Sequence, residues 1–352
     1  MKTRDFRSDT VTKPTPQMLR AMVEAEVGDD VLEGDPTVRR LEQRVADWLG
    51  KPGALFVPSG TMANQCAIGT WTRPGDEMIA ERSAHVVQWE SGAAAANHGV
   101  QTQTLVAEDG VFEPEALKAA FRYPSLHCPL TKLVCTEQSF MGSGQGAGGR
   151  VVPYAAMQST AEVCGDAGIP VHLDGARLAN AVVASGIAAA DWALLADSVS
   201  VCFSKGLGAP VGSAIAGDEE FLERAKIVRK RLGGWMRQSG ILAAAALYAL
   251  DNNVERLAED HDNAKLLARL LGELPGLSCD ESEVQTNIVM VRTEDPRFSP
   301  ADLAARLAER GIQVLPLSHD SLRFVTHLDV DEEDVHSVRD ELERILGLQR
   351  IS

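Results

Sequence analysis

A chain of 352 residues with 45% hydrophobic content can bury a full core, and it is expected to form two lobes because single cores stop growing near ~250 to 300 residues. A formal net charge of -16, with no basic block, argues against nucleic acid or an anionic membrane as partner and leaves small molecules as the expected ligands. The charged start, Met1 to Asp9, has no apolar signal stretch, and no apolar run approaches the ~20 residues of a membrane span, so a cytoplasmic protein is expected.

In chain order, a helix is expected at Pro36–Leu49, with proline in its first turn. Short apolar runs of strand character lie at 54–57, 77–80, 132–135, 170–173 and 198–203, with helical stretches at 114–122, 153–167 and 176–185 between them. This alternation predicts an α/β fold with a mostly parallel sheet, whose strand C-termini carry the site. From Ile241 the chain turns to Ala/Leu/Glu/Arg-rich helices, then to a strand at 287–291 and helices at 300–310 and 331–346. A large domain over 1–245, with an N-terminal arm at 1–20, and a small C-terminal domain over 246–352 are therefore expected.

Two features suggest what the chain does not do. The six cysteines are scattered without a Cys-x-x-Cys pair, as reduced core thiols are, so neither zinc nor a disulfide frame is expected. The stretch Gly142-Ser143-Gly144-Gln145-Gly146-Ala147-Gly148-Gly149 has the letters of a dinucleotide motif but runs into Arg150-Val151-Val152-Pro153 instead of opening a helix. It is expected to be a mobile loop.

Three segments carry chemistry. In Ser198-Val199-Ser200-Val201-Cys202-Phe203-Ser204-Lys205-Gly206-Leu207-Gly208, a lysine follows an apolar strand and enters a glycine-rich turn. A desolvated amine there suits Schiff-base chemistry, with a structural lysine as the alternative. In His172-Leu173-Asp174-Gly175-Ala176-Arg177 a carboxylate ends another strand; the protonated pyridine nitrogen of pyridoxal phosphate would pair it, and a helix cap is the plainer reading. In Val57-Pro58-Ser59-Gly60-Thr61-Met62-Ala63-Asn64, a strand-to-helix turn offers free N–H groups and the Thr61 hydroxyl to a phosphate. His85 begins the next loop, where it could stack on the ring.

Together with Arg7-Ser8-Asp9-Thr10-Val11-Thr12, Val27-Gly28-Asp29-Asp30-Val31, Leu207-Gly208-Ala209-Pro210-Val211-Gly212-Ser213 and Met236-Arg237-Gln238-Ser239-Gly240, these segments resemble the low-specificity L-threonine aldolases in one collinear order from about Arg7 to beyond Asp329. The resemblance implies a fold-type-I enzyme dependent on pyridoxal 5'-phosphate, with a mostly parallel central sheet flanked by helices and a smaller C-terminal α/β lobe. It implies a homotetramer, a dimer of dimers with sites at the dimer interface, that cleaves L-β-hydroxy-α-amino acids to glycine and an aldehyde. Carried over, Lys205 is the Schiff-base lysine, Asp174 faces the pyridine nitrogen and His85 stacks on the ring. Gly60 and Thr61 hold the phosphate with Arg237 and Lys230, and Arg177 lies near the phenolic oxygen. Ser8, Arg177 and Arg323 bind the substrate carboxylate, a task that suits the planar guanidinium fork.

The sequence departs from that family at the substrate. Where the family has Glu-Asn-Thr-His, this chain reads Glu137-Gln138-Ser139-Phe140; a family tyrosine is Leu32, a small residue is Trp235, and Trp89 is expected to line the same region. Phe140, Trp89 and Trp235 predict a bulky, phenylserine-like substrate ahead of threonine, and His85 or an ordered water becomes the expected base for the β-hydroxyl. The competing readings are a β-eliminating or transaldolase-like enzyme with the same cofactor and a non-catalytic protein that kept the fold.

Overall fold

The central sheet runs, in spatial order, Gly53–Val57, Ser213–Gly217, Ser198–Cys202, Val171–Gly175, Thr131–Glu137, Glu77–Glu81 and Gln101–Leu105. Ser213–Gly217 is antiparallel to both of its neighbours, and the remaining pairs are parallel. In this computed structural model residues 3–142 and 148–348 are described; most of the glycine-rich stretch read as a mobile loop, 143–147, lies outside them. Glu77–Glu81, Val171–Gly175 and Ser198–Cys202 are buried along their whole length. Polar residues stand inside them only with partners: His172, Asp174, Ser198 and Ser200 are buried and hydrogen-bonded.

Helices cover the sheet. Pro36–Leu49 starts where Asp35 accepts the N–H groups of Thr37 and Val38, and it stops at Gly50, whose φ of 60° suits glycine. Its Val38, Leu41, Val45 and Leu49 recur at helical spacing and are buried in the large core. Each contributes about 1.5 to 3 kcal/mol of burial. The helix Gly240–Asn252 packs on Pro36–Leu49 and Pro16–Val23, and its Ala243, Ala246 and Leu250 join the same core.

A second hydrophobic cluster, including Leu267, Leu271, Val289, Phe324, Val338 and Leu342, lies between the antiparallel strands Leu315–Pro316, Ser321–Val325, Ile288–Thr293 and Leu277–Ser278 and the helices Leu257–Gly272 and Glu332–Leu346. Phe6 belongs to it. The N-terminal arm is stitched to this lobe, with Arg4–Asp5 parallel to Ile312–Gln313 and the Val325 N–H donating to the Phe6 carbonyl at 2.8 Å. The chain then crosses to the ends of the central strands, which is how Ser8 and Asp9 reach the site. No described helix is long and apolar enough to cross a membrane.

Candidate active site

Asp174 sits at the C-terminal end of Val171–Gly175, paired in register with Glu137 on the adjacent strand. Gly175 beside it is required, because a Cβ there would lie 2.4 Å from the Ser200 carbonyl oxygen. The carboxylate is buried and accepts the Asn64 amide at 2.7 Å and the Ala176 N–H at 3.0 Å. Burial would raise its pKa, but the charges of Lys205 and His85 and the Asn64 hydrogen bond hold it below the ordinary value. The Ala176 bond belongs to the turn after the strand; the helix begins only at Leu178, with Arg177 as its N-cap and no side-chain cap, so the helix cap expected of Asp174 is not formed.

Lys205 follows the neighbouring strand. Beyond Cys202 the chain folds back, with the Phe203 N–H on the Gly212 carbonyl at 3.0 Å and the Gly208 N–H on the Lys205 carbonyl at 2.8 Å. The φ values of Gly208 and Gly212, 79° and 112°, are ones that only glycine adopts without strain. The charge of half-buried Lys205 lowers the pKa of both Asp9 and Asp174, which places the amine close to the two carboxylates.

His85 opens a short helix after Glu77–Glu81. Its backbone N–H donates to Glu137 at 2.9 Å, and its Nδ1 meets Glu90 Oε1 at 3.0 Å. Burial would lower its pKa, yet Glu90 and Asp174 outweigh that and raise it. Burial, with Asp174 close by, pushes the Glu137 carboxyl up to about 7, against the pull of the N–H groups of His85 and Met141.

The turn after Gly53–Val57 starts the helix Gly60–Trp71, with Ser59 Oγ accepting the Met62 N–H at 3.2 Å. Among the described residues, the N–H groups of Gly60 and Thr61 have no acceptor, which leaves an anion cradle at the helix start. Gly60 packs so closely on the next strands that a Cβ would lie 2.6 Å from Cys202 Sγ.

Across the pocket, Arg177 makes a two-pronged ion pair with Asp9, at 2.9 and 2.7 Å. Burial would raise Asp9, but Arg177, then Lys205 and Asn287, hold it far below the usual carboxylate range. Arg323 donates Nη2 to the Arg7 carbonyl at 3.1 Å and keeps a buried Nε with no partner. Burial and the charge of Arg177 push its pKa down to about 10. Between the two guanidinium groups lies the Met141 sulfur, 3.4 Å from Arg323 Nη1 and 3.9 Å from Arg177 Nη1. Ser8 sits between Arg7 and Asp9 on this wall and caps the turn Asp9–Val11. Two cationic forks, one with an unfilled donor, are suited to a carboxylate.

The remaining candidates lie elsewhere. Phe140 is buried in the large core against Gly110 and Val152. The Trp235 ring is flanked by Arg229 and Lys230, and its Nε1 donates to Asp30 at 2.7 Å. Arg237, 53% exposed, is held by Asp29 at 3.0 Å, and no hydrogen bond among the described residues ties Lys230 or Arg237 to the Ser59–Thr61 turn. Trp89 is exposed just beyond His85. Sequence reasoning missed Glu90 and Met141, and it quoted Asn64 and Asp9 without giving them a part. No local motif marks Glu90, and only tertiary folding makes it a partner of His85.

The beta-eliminating lyase family matches residues 5–294. A probable low-specificity L-threonine aldolase of Arabidopsis thaliana is 42% identical over 350 residues, covering 98% of each chain. The low specificity L-threonine aldolase of Escherichia coli (strain K12) is 40% identical, covering 95% of this chain and 96% of that one. A solved structure of Leishmania major threonine aldolase, 22% identical, aligns with a TM-score of 0.81 over 97% of this chain and 99% of that chain.

Proposed function

We propose that this chain, which belongs to the beta-eliminating lyase family and within it to the low-specificity L-threonine aldolases, is a pyridoxal-phosphate aldehyde-lyase that splits L-β-hydroxy-α-amino acids into glycine and an aldehyde. The observation that carries the reading is the buried Asp174, hydrogen-bonded by neutral donors and facing the charge of Lys205. Such a carboxylate is favoured by a cation opposite it, and a protonated pyridine nitrogen fits.

When bound, pyridoxal phosphate supplies an aldehyde that amines condense with and a ring that takes up the electron pair of the broken bond. Lys205 would be the amine that holds it, Asp174 would pair with its ring nitrogen, and His85 would line the ring. The free N–H groups of Gly60 and Thr61 would take the phosphate. Arg177 and Arg323, with Ser8 beside them, grip the substrate carboxylate in the space that the Met141 sulfur fills. Fixing the carboxylate orients the Cα–Cβ bond for cleavage, and His85, directly or through a water, receives the β-hydroxyl proton.

Lys230 and Arg237 point outward within one protomer, which suits a phosphate role completed in an assembly. A homotetramer built from dimers is the proposed state, and exposed Leu19, Val23, Leu32 and Ile241 offer apolar surface for it. The proposed preference for a phenylserine-like side chain rests on Trp89, since Phe140 packs in the core and Trp235 is engaged by its neighbours. A cytoplasmic location completes the reading, together with a domain boundary near residue 245.

Purified protein supplied with the cofactor should turn yellow, and borohydride should fix the label on Lys205. L-Threonine, L-allo-threonine and phenylserine isomers should release glycine, and Lys205→Ala should lose both colour and turnover. Keto acid with ammonia in place of glycine would instead support elimination, the reaction for which the family is named. A colourless wild-type protein would sink the proposal.

A further inference from the structure

Glu90 is 3% exposed, and its carboxylate accepts from several side chains at once. Oε1 takes the Asn64 amide at 2.8 Å and meets His85 Nδ1 at 3.0 Å, while Oε2 takes the Gln65 amide at 2.8 Å. A carboxylate of this kind only accepts, so Nδ1 carries the imidazole proton. Nε2 has no hydrogen-bond partner among the described residues. The same Asn64 Nδ2 also donates to Asp174 at 2.7 Å, and Asn64 Oδ1 lies 3.1 Å from both His172 Nε2 and Ser200 Oγ. The amide therefore cannot flip without setting acceptor against acceptor at both carboxylates.

We propose that Glu90 is a positioning residue for His85, fixing its tautomer and orientation so that Nε2 is the nitrogen that exchanges a proton, and that Asn64 ties this pair rigidly to Asp174. The inference rests on the reading of His85 and Asp174 given above. It goes beyond that reading by giving the imidazole a dedicated carboxylate partner from its own loop.

The charges around His85 come from every element packed on it. Glu90 lies on its own loop, Asp174 and Glu137 on the two strands, and Lys205 on the turn after Cys202. Glu90 and Asp174 favour the imidazolium, whereas burial and Lys205 oppose it. Replacing Glu90 by glutamine leaves an acceptor for Nδ1 but removes the negative charge that strengthens this bond and offsets burial.

The test is the pH dependence of carbethoxylation of His85 by diethyl pyrocarbonate, read by peptide mass mapping in holoenzyme and in cofactor-free protein. In the wild type the reactivity midpoint should lie above the ordinary imidazole range, and in Glu90→Gln it should move to lower pH. With the yellow chromophore retained, kcat in Glu90→Gln should fall about tenfold or more while KM changes little. A Glu90→Gln protein that keeps the chromophore and the wild-type midpoint overturns the proposal. Should that variant fail to fold, a wild-type midpoint at or below the ordinary range overturns it equally. Loss of colour in the wild type sinks the cofactor reading instead, and the cofactor-free titration still judges Glu90.

Discussion

Asp9 and Arg177, 168 residues apart in the chain, face each other through paired hydrogen bonds of 2.9 and 2.7 Å, with the carboxylate fully buried. Removing one member of such a pair leaves an uncompensated charge inside the protein, which costs about 3 kcal/mol or more. Asp9→Asn should therefore lower the urea midpoint and also raise KM, because the guanidinium proposed to grip the substrate loses its anchor. Unchanged stability and KM in this variant would show that the pair neither holds the arm nor aims Arg177.

The Met141 sulfur occupies the space between Arg177 and Arg323. A thioether is a weak acceptor, so a substrate carboxylate should displace it at small cost. Met141→Leu keeps the bulk but removes the acceptor, and KM for L-threonine should fall by about threefold, equivalent to roughly 0.6 kcal/mol, with kcat little altered. Steady-state kinetics across the substrate panel checks this. A rise in KM would mean that the sulfur helps to build the site.

Gly60 is constrained by contact, since a Cβ would stand 2.6 Å from Cys202 Sγ and 3.7 Å from Ser213 Oγ. Gly60→Ala should shift the helix start and weaken pyridoxal phosphate binding about tenfold, because the free N–H groups lose their aim. Adding Cys202→Ala removes the obstructing sulfur and should restore most of the affinity. Additive losses in the double variant, measured by cofactor titration, would refute the steric account.

The parts of the fold that were legible in the sequence are those where burial dictates composition. The fully buried strands read as apolar runs, and Pro36–Leu49 declared itself through Asp35, Pro36 and Gly50. Gln101–Leu105 did not, because it is a partly exposed edge strand made of Gln and Thr. Ser213–Gly217 was missed as well, because its small residues carry little strand signal although they are fully buried. Lys205 and Asp174 were visible as polar residues at the ends of apolar runs. Glu90 was not, because a carboxylate in a loop looks solvated until folding closes Asn64, Gln65 and His85 around it. Phe140 looked like a pocket wall because it fills the position of a family histidine. In the structure the ring enters the core, and the next residue, Met141, faces the arginines.

His172 lies one layer beneath Asp174 and should shape the acid stability of the protein. Asn64 Oδ1 accepts from Nε2–H at 3.1 Å, so in the neutral ring Nδ1 is the acceptor and takes the Ser198 hydroxyl at 3.0 Å, whose oxygen accepts from Trp71 at 2.9 Å. The ring is thereby held neutral, and burial pushes its pKa down to about 4 from 6.5. A histidine with a depressed folded-state pKa contributes stability that is present above 6.5 and lost as pH falls toward 4, up to about 3 kcal/mol in all. Burial pushes His261 down to about 4 as well, so the two share that window. His172→Gln should be less stable than the wild type at neutral pH but should lose less on acidification, and urea midpoints taken between about pH 7 and pH 4 would measure the difference. Parallel pH profiles for variant and wild type would mean that His172 is not the group being titrated, and the buried network under the carboxylate would then need another source of its acid sensitivity.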